Sequence, residues 1–220
     1  MAVILILALS LLTFTLADHG KTTRYWDCCK PSCSWAGKAP VVGPVHTCDR
    51  NDQWDWNANV KNACDDGGNA YACANTSPWV GADDISYGFA AVKLAGKGEW
   101  QTCCSCYELK FTTGPVAGKK MIVQSINTGS DLDTNHFDIA IPGGGVGQFN
   151  ACSKQFGGVY LGNQYGGYTN RNDCYNLPDK WRGGCFWRFD WFQGADNPEV
   201  EWKEVSCPQS LLDRSGCARG

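Results

Sequence analysis

Residues 136–141 read His-Phe-Asp-Ile-Ala-Ile. Phe137, Ile139 and Ile141 alternate with Asp138 and Ala140, the period of two that a strand shows when one face lies in a core. With the apolar face inside, Asp138 looks the other way, into a groove beside a small neighbour. Working outward, alternation of the same kind recurs at 106–112, 121–126, 186–192 and 200–205, each bounded by turn-forming residues. Two helices are expected. One spans 84–94, where Ile85, Phe89 and Val92 fall at i, i+4 and i+7 and Gly96 can terminate it; the other spans 146–155, closed by Gly157-Gly158. Strands outnumber helices, so the expectation is a mainly β domain with long, glycine-rich loops. A closed or nearly closed barrel would remove exposed strand edges.

The chain has 220 residues, 43% hydrophobic and 19% charged, an ordinary globular balance. A formal net charge of -3 provides no field that would draw the protein onto nucleic acid or an anionic membrane. Fourteen cysteines, an even number, accompany 26 glycines and 10 tryptophans, which describes a chain crosslinked in an oxidising compartment. The adjacent pairs Cys28-Cys29 and Cys103-Cys104 lack the C-x-x-C spacing whose sulfurs converge on zinc, so no metal and no cofactor is expected. Residues 1–17 (MAVILILALSLLTFTLA) carry no charge and fall short of the roughly 20 residues of a membrane span. Thr15-Leu16-Ala17 approximates a signal-peptide cleavage site, although no basic residue precedes the apolar run; an uncleaved anchor is the alternative. Residues 18–220 contain no linker, charge block or repeat and read as a single domain, secreted, extracellular and monomeric. Asn75-Thr76-Ser77 is a glycosylation acceptor, usable only on a eukaryotic secretory route.

There is no G-x-S-x-G, no glycine loop leading to a lysine that would cradle phosphate, and no thiol left over if all cysteines pair. Serine, cysteine and phosphoryl-transfer chemistry are thereby set aside. Acid–base work by carboxylates remains. The tryptophans and tyrosines suggest a polysaccharide, because aromatic faces stack on the C–H-rich faces of sugar rings; the plain reading of most of them is core. Partial desolvation of Asp138 would raise its pKa, as a proton donor near neutral pH requires; its plain alternative is a solvated strand carboxylate. Asp27 immediately precedes Cys28-Cys29, whose crosslinks would hold it rigidly, as a catalytic base needs; its plain alternative is a turn-forming or capping residue.

Taken together, residues 23–35 (TRYWDCCKPSCSW), 103–107 (CCSCY), 114–119 (GPVAGK), 136–147 (HFDIAIPGGGVG), 164–167 (QYGG) and 185–198 (CFWRFDWFQGADNP) resemble the endoglucanases of glycoside hydrolase family 45, over about residues 22–217. The resemblance implies a six-stranded double-psi β-barrel with long disulfide-linked loops, a single catalytic domain over 18–220 without a carbohydrate-binding module, and hydrolysis of internal β-1,4 bonds of cellulose with inversion. It makes Asp27 the general base, Asp138 the general acid and Asp131 an assisting carboxylate on a mobile loop. Trp35, Tyr25 and Tyr165 match positions that line glucose subsites, with Thr23, Arg24, Lys30 and Lys38 nearby. It also implies the pairs Cys28–Cys152, Cys29–Cys64, Cys33–Cys103, Cys48–Cys73, Cys104–Cys217, Cys106–Cys207 and Cys174–Cys185. An inverting pair must leave room for water, so its carboxyl groups should stand roughly 6.5–9.5 Å apart. The glycines at 143–145 either let backbone approach the sugar or form a tight turn.

Three other readings compete. A non-hydrolytic, expansin-like wall-loosening protein shares the barrel, the cysteines and the HFD segment but lacks the base. A copper-dependent monooxygenase would need cleavage before His19. A cystine-rich binder with no catalytic role leaves the two aspartates unexplained.

Overall fold

The computed structural model describes residues 17–220, so the expected signal peptide lies almost wholly outside the described residues. Six strands close on themselves: β1 (Asp18–Tyr25), β2 (Ser86–Lys93), β3 (Cys106–Phe111), β4 (Lys120–Asn127), β5 (His136–Ala140) and β6 (Glu199–Val205). Around the barrel the order is β2-β4-β3-β6-β1-β5, and β5 returns to β2. Two pairs are parallel, β1 with β5 and β2 with β4, and the rest antiparallel. This is the expected mainly β, six-stranded barrel, and closure pairs the strand edges that would otherwise invite aggregation.

Alternation fills the barrel. Phe137, Ile139 and Ile141 are fully buried with Leu109, Phe111, Met121, Val123 and Val200. Tyr107, Phe137 and Trp202 meet edge to face with centroids 5.5–5.7 Å apart, a geometry that adds about 0.5–1.5 kcal/mol per pair to the burial itself. A second cluster, built on Trp26, Tyr71, Tyr168, Trp181 and the cystines, packs the long loops against the outside of the barrel. Seven disulfides join Cys28–Cys152, Cys29–Cys64, Cys33–Cys103, Cys48–Cys73, Cys104–Cys217, Cys106–Cys207 and Cys174–Cys185. Several close loops of a hundred residues or more, where restriction of the unfolded chain is greatest, about 4–5 kcal/mol in the chain-entropy account.

Three local expectations are corrected. The segment expected as a helix at 84–94 is strand β2. Ala90 and Val92 face the barrel interior while Phe89 lies in the outer cluster, so both faces are buried and no alternation marks the strand. The strand expected at 186–192 belongs to the helix Asp179–Asp190 and the turn after it. Its aromatic content suggested a strand, but Trp187 and Trp191, one helical turn apart, stack with centroids 5.3 Å apart and cap the barrel. Of the expected helix at 146–155, the structure keeps only Cys152–Phe156, with Gly157 in the left-handed conformation at its end. Residues before it line a groove, and the N–H of Ala151 donates to the carbonyl of Asp27.

Candidate active site

β1 and β5 run in parallel register with Thr23 opposite Asp138 and Tyr25 opposite Ala140. Thr23 and Asp138 therefore share the outward face of the barrel, and the chain leaving β1 reaches Asp27 two residues later. On the other flank of β5, Ala91 of β2 is Asp138's register partner, and this small side chain leaves the acid's surroundings open.

Asp27 is held by its backbone. Cys28 takes a positive φ of 61°, and the N–H of Cys29 donates to Asp27 Oδ1 at 2.9 Å. The cystines Cys28–Cys152 and Cys29–Cys64 then tie this turn to two other loops. The glycines at 143–145 complete the anchoring. Trp26 N–H donates to the carbonyl of Gly145 at 2.7 Å and Tyr168 N–H to that of Gly143 at 2.9 Å. A Cβ on Gly145 would meet the backbone of Gln164 and Gly166 at 2.9 and 2.8 Å. Of the two readings of this stretch the tight turn is present, Gly144 N–H donating to the carbonyl of Ile141 at 2.7 Å, and the packing of backbone on backbone around it fixes the residue before Asp27.

Asp27, Asp138 and Asp131 line one groove of about 400 Å³ with Tyr25, Lys30 and Trp35. It continues past Asp138 into a second stretch of about 430 Å³ lined by Thr23, Arg24, His136 and Tyr165. Asp138, Asp131, Tyr25, Leu132 and Gly147 belong to both, which puts Asp138 near the middle. Burial is the main cause that pushes Asp27 up to about 6, opposed by the Cys29 N–H. Burial likewise pushes Asp138 up to about 7; the Thr23 hydroxyl opposes this, and the negative charges of Asp131 and Asp27 add to it. Both carboxyls of the groove are thus raised by burial, Asp27 restrained by a backbone N–H and Asp138 raised further by neighbouring negative charge.

A chain of hydrogen bonds supports Asp138. His136 Nδ1 accepts the N–H of Asp133 at 3.3 Å, which leaves the ring proton on Nε2, 2.7 Å from Thr23 Oγ1. Thr23 Oγ1 in turn donates to Asp138 Oδ1 at 2.5 Å. Burial first, and then the charge of Lys21, lowers His136 to about 4, so its ring stays neutral at working pH. His136 was not singled out from the sequence, yet the alternation that turns Asp138 outward turns His136 outward as well.

The remaining sequence candidates take different positions. Lys30 is buried, and its ammonium donates to the carbonyls of Ala58 and Val60 at 2.7 and 2.9 Å while standing 3.2 Å from the Trp35 ring centroid. It fastens Trp35 to the groove wall, a cation–π support. Tyr25 lies between the two acids, its hydroxyl accepting from Asn127 at 3.2 Å. Arg24 pairs with Asp196 at 2.8 Å, and Tyr165 stands exposed at the far end. Lys38 is bound to Glu99 at 2.7 Å and is not among the groove residues. Asn75 is not among the groove residues, and its amide nitrogen donates to the carbonyl of Arg214 at 2.8 Å. Phe149, Asn62 and Asp65 also line the groove; they lie in loops whose course no local pattern announces. Among the described residues, the one cluster with metal-ligand geometry is Cys48, Asp52 and Cys73, whose two sulfurs form a disulfide.

Comparison with known proteins agrees with this architecture. The chain is 55% identical over 216 residues to a Fusarium oxysporum protein named as an endoglucanase type K, spanning 98% of this chain and 57% of that protein's own length. It is 49% identical to an endoglucanase of Cryptopygus antarcticus over 92% of this chain and 90% of the relative. The crystal structure of the cellulase from that Antarctic springtail superposes with a TM-score of 0.88 at 48% identity, covering 94% of this chain and 99% of the other. The profile of glycosyl hydrolase family 45 matches residues 19–218, and the chain belongs to that family of glycoside hydrolases.

Proposed function

We propose that the protein is a secreted endo-β-1,4-glucanase that hydrolyses internal bonds of cellulose or related β-glucans with inversion at the anomeric carbon. The observation that carries this reading is the pair of desolvated carboxyls, Asp27 and Asp138, on one open groove, both held well above the usual carboxylate range. Asp138, protonated at slightly acidic pH, gives its proton to the departing glycosidic oxygen. Asp27, already ionised, takes a proton from the water that attacks the anomeric carbon from the opposite face. A β bond then yields an α product. Asp131 acts through its charge, keeping Asp138 protonated, and Trp35 and Tyr165 stack on glucose rings along the groove. The names of the full-length relatives, endoglucanases of Cryptopygus antarcticus and Phaedon cochleariae, support the same substrate class. No helix of the described residues is long and apolar enough to cross a membrane.

The test is Asp138→Asn beside Asp27→Ala, assayed for reducing ends released from soluble glucan and for retained oligosaccharide binding. Each variant is expected to lose activity far beyond tenfold, or about 1.4 kcal/mol of barrier, with binding kept. Activity within tenfold of the parent overturns the assignment. NMR of the first anomer released is the independent check, and a β product refutes inversion.

A further inference from the structure

Outside the groove, the segment Trp54-Asp55-Trp56 presents two tryptophans to solvent, Trp54 43% and Trp56 74% exposed. Alternation along this short extended stretch sends both indoles to one side and Asp55 to the other. The rings are held in place: Trp54 and Trp56 meet at 5.3 Å and 75°, and His46 lies 4.6 Å from Trp54 and 5.0 Å from Trp56. A large apolar ring that is mostly exposed yet fixed in orientation is an unusual expense of surface for a protein that works in water.

We propose that Trp56, backed by Trp54 and His46, is a second glucan-docking platform outside the catalytic groove. The occupant is a β-1,4-glucan chain, and the inference rests on the substrate class given above. Three observations favour a sugar polymer over a second protein. The residues flanking the indoles in the chain include four exposed carboxamides, Asn51, Gln53, Asn57 and Asn59, groups that exchange hydrogen bonds with sugar hydroxyls. Asp55, the one acid between the rings, is turned toward Lys30, whose proton affinity its charge raises. The same loop also supports the groove: the carbonyls of Ala58 and Val60 hold the Lys30 ammonium that seats Trp35. The loop that carries the two exposed indoles is thereby tied, through Lys30, to the aromatic station Trp35 in the groove.

The experiment compares the parent with Trp56→Ala and Trp56→Phe. Adsorption to insoluble cellulose in the cold, hydrolysis of a soluble cello-oligosaccharide and thermal unfolding are measured for each. Expected for Trp56→Ala is an adsorption constant at least fivefold weaker, with soluble hydrolysis within twofold and an unchanged melting temperature; Trp56→Phe, which keeps a flat ring, recovers most of the adsorption. The proposal is overturned if the parent does not adsorb, if Trp56→Ala adsorbs as the parent does, if soluble hydrolysis falls in parallel, or if the parent sediments as a dimer that Trp56→Ala dissociates. A parent that adsorbs through Trp56 but cleaves no glucan defeats the catalytic reading alone and leaves the platform standing.

Discussion

Replacing Asp138 by Asn removes a carboxyl that the fold keeps protonated to about pH 7, against about 3.8 for the unfolded chain. Between those values the native state holds a proton that the unfolded state has released, so stability falls as pH rises through that window. At about 1.4 kcal/mol per unit, the full shift corresponds to an upper limit of about 4 kcal/mol lost by pH 8. Asparagine keeps the shape and an oxygen that can accept the Thr23 hydroxyl, but it has no charge to bury. The variant is therefore expected to match the parent near pH 3.5 and to exceed it by about 2 kcal/mol at pH 8, after discounting for partial solvation and the weaker Thr23 bond. For a domain of this size that is roughly 4–8 °C in melting temperature. Calorimetry of both proteins with disulfides intact, at pH 3.5 and pH 8, reads this directly. A melting difference that is the same at both pH values, or a variant less stable at pH 8, would refute the idea that desolvation of Asp138 is a strain held for function.

The remaining predictions concern the same groove and its supports. Because Asp27 must be ionised above about 6 and Asp138 protonated below about 7, kcat/KM against pH is expected to form a narrow bell with its maximum between them, the limbs belonging to the coupled pair; a flat profile from pH 4 to 9 contradicts it. Asp131→Asn removes a charge that raises Asp138, so the alkaline limb should move to lower pH, whereas Thr23→Val removes a hydrogen bond that lowers it and should move that limb upward; shifts of the same sign in both variants defeat this account of the acid. Lys30→Met keeps the bulk but frees Trp35 from its ammonium, and KM for long oligosaccharides should rise several-fold with kcat nearly held, which steady-state kinetics will show. Gly167→Ala would place a Cβ 1.9 Å from the carbonyl of Gly143 at a φ of +68°, so unfolding should be easier by at least about 2 kcal/mol, the left-handed penalty and the clash together; an unchanged denaturant midpoint says the glycine contact is dispensable.

Much of this was legible because it is local. The alternation at 136–141 set both the core face of β5 and the outward direction of Asp138, and the adjacent cysteines after Asp27 announced a rigidly tied turn. Two of the misreadings share one cause. In β2 and in the helix Asp179–Asp190, side chains are buried on more than one face, so the hydrophobic periodicity that distinguishes strand from helix is erased and propensity points the wrong way. β1 went unrecognised for a related reason: its sequence, DHGKTTRY, is polar, with Thr22 alone fully buried.

What the sequence by itself determined is the identity of the chemical groups: two candidate carboxyls, aromatic rings for sugar, cysteines enough for seven crosslinks. What only the tertiary structure decided is their company. Parallel pairing of β1 with β5 sets Thr23 against Asp138, the cystines and the glycine contacts bring Asp27 to the same groove, and burial there raises the proton affinity of both. Desolvation and mutual charge depend on distance in space, and residues more than a hundred positions apart acquire that distance only when the barrel closes.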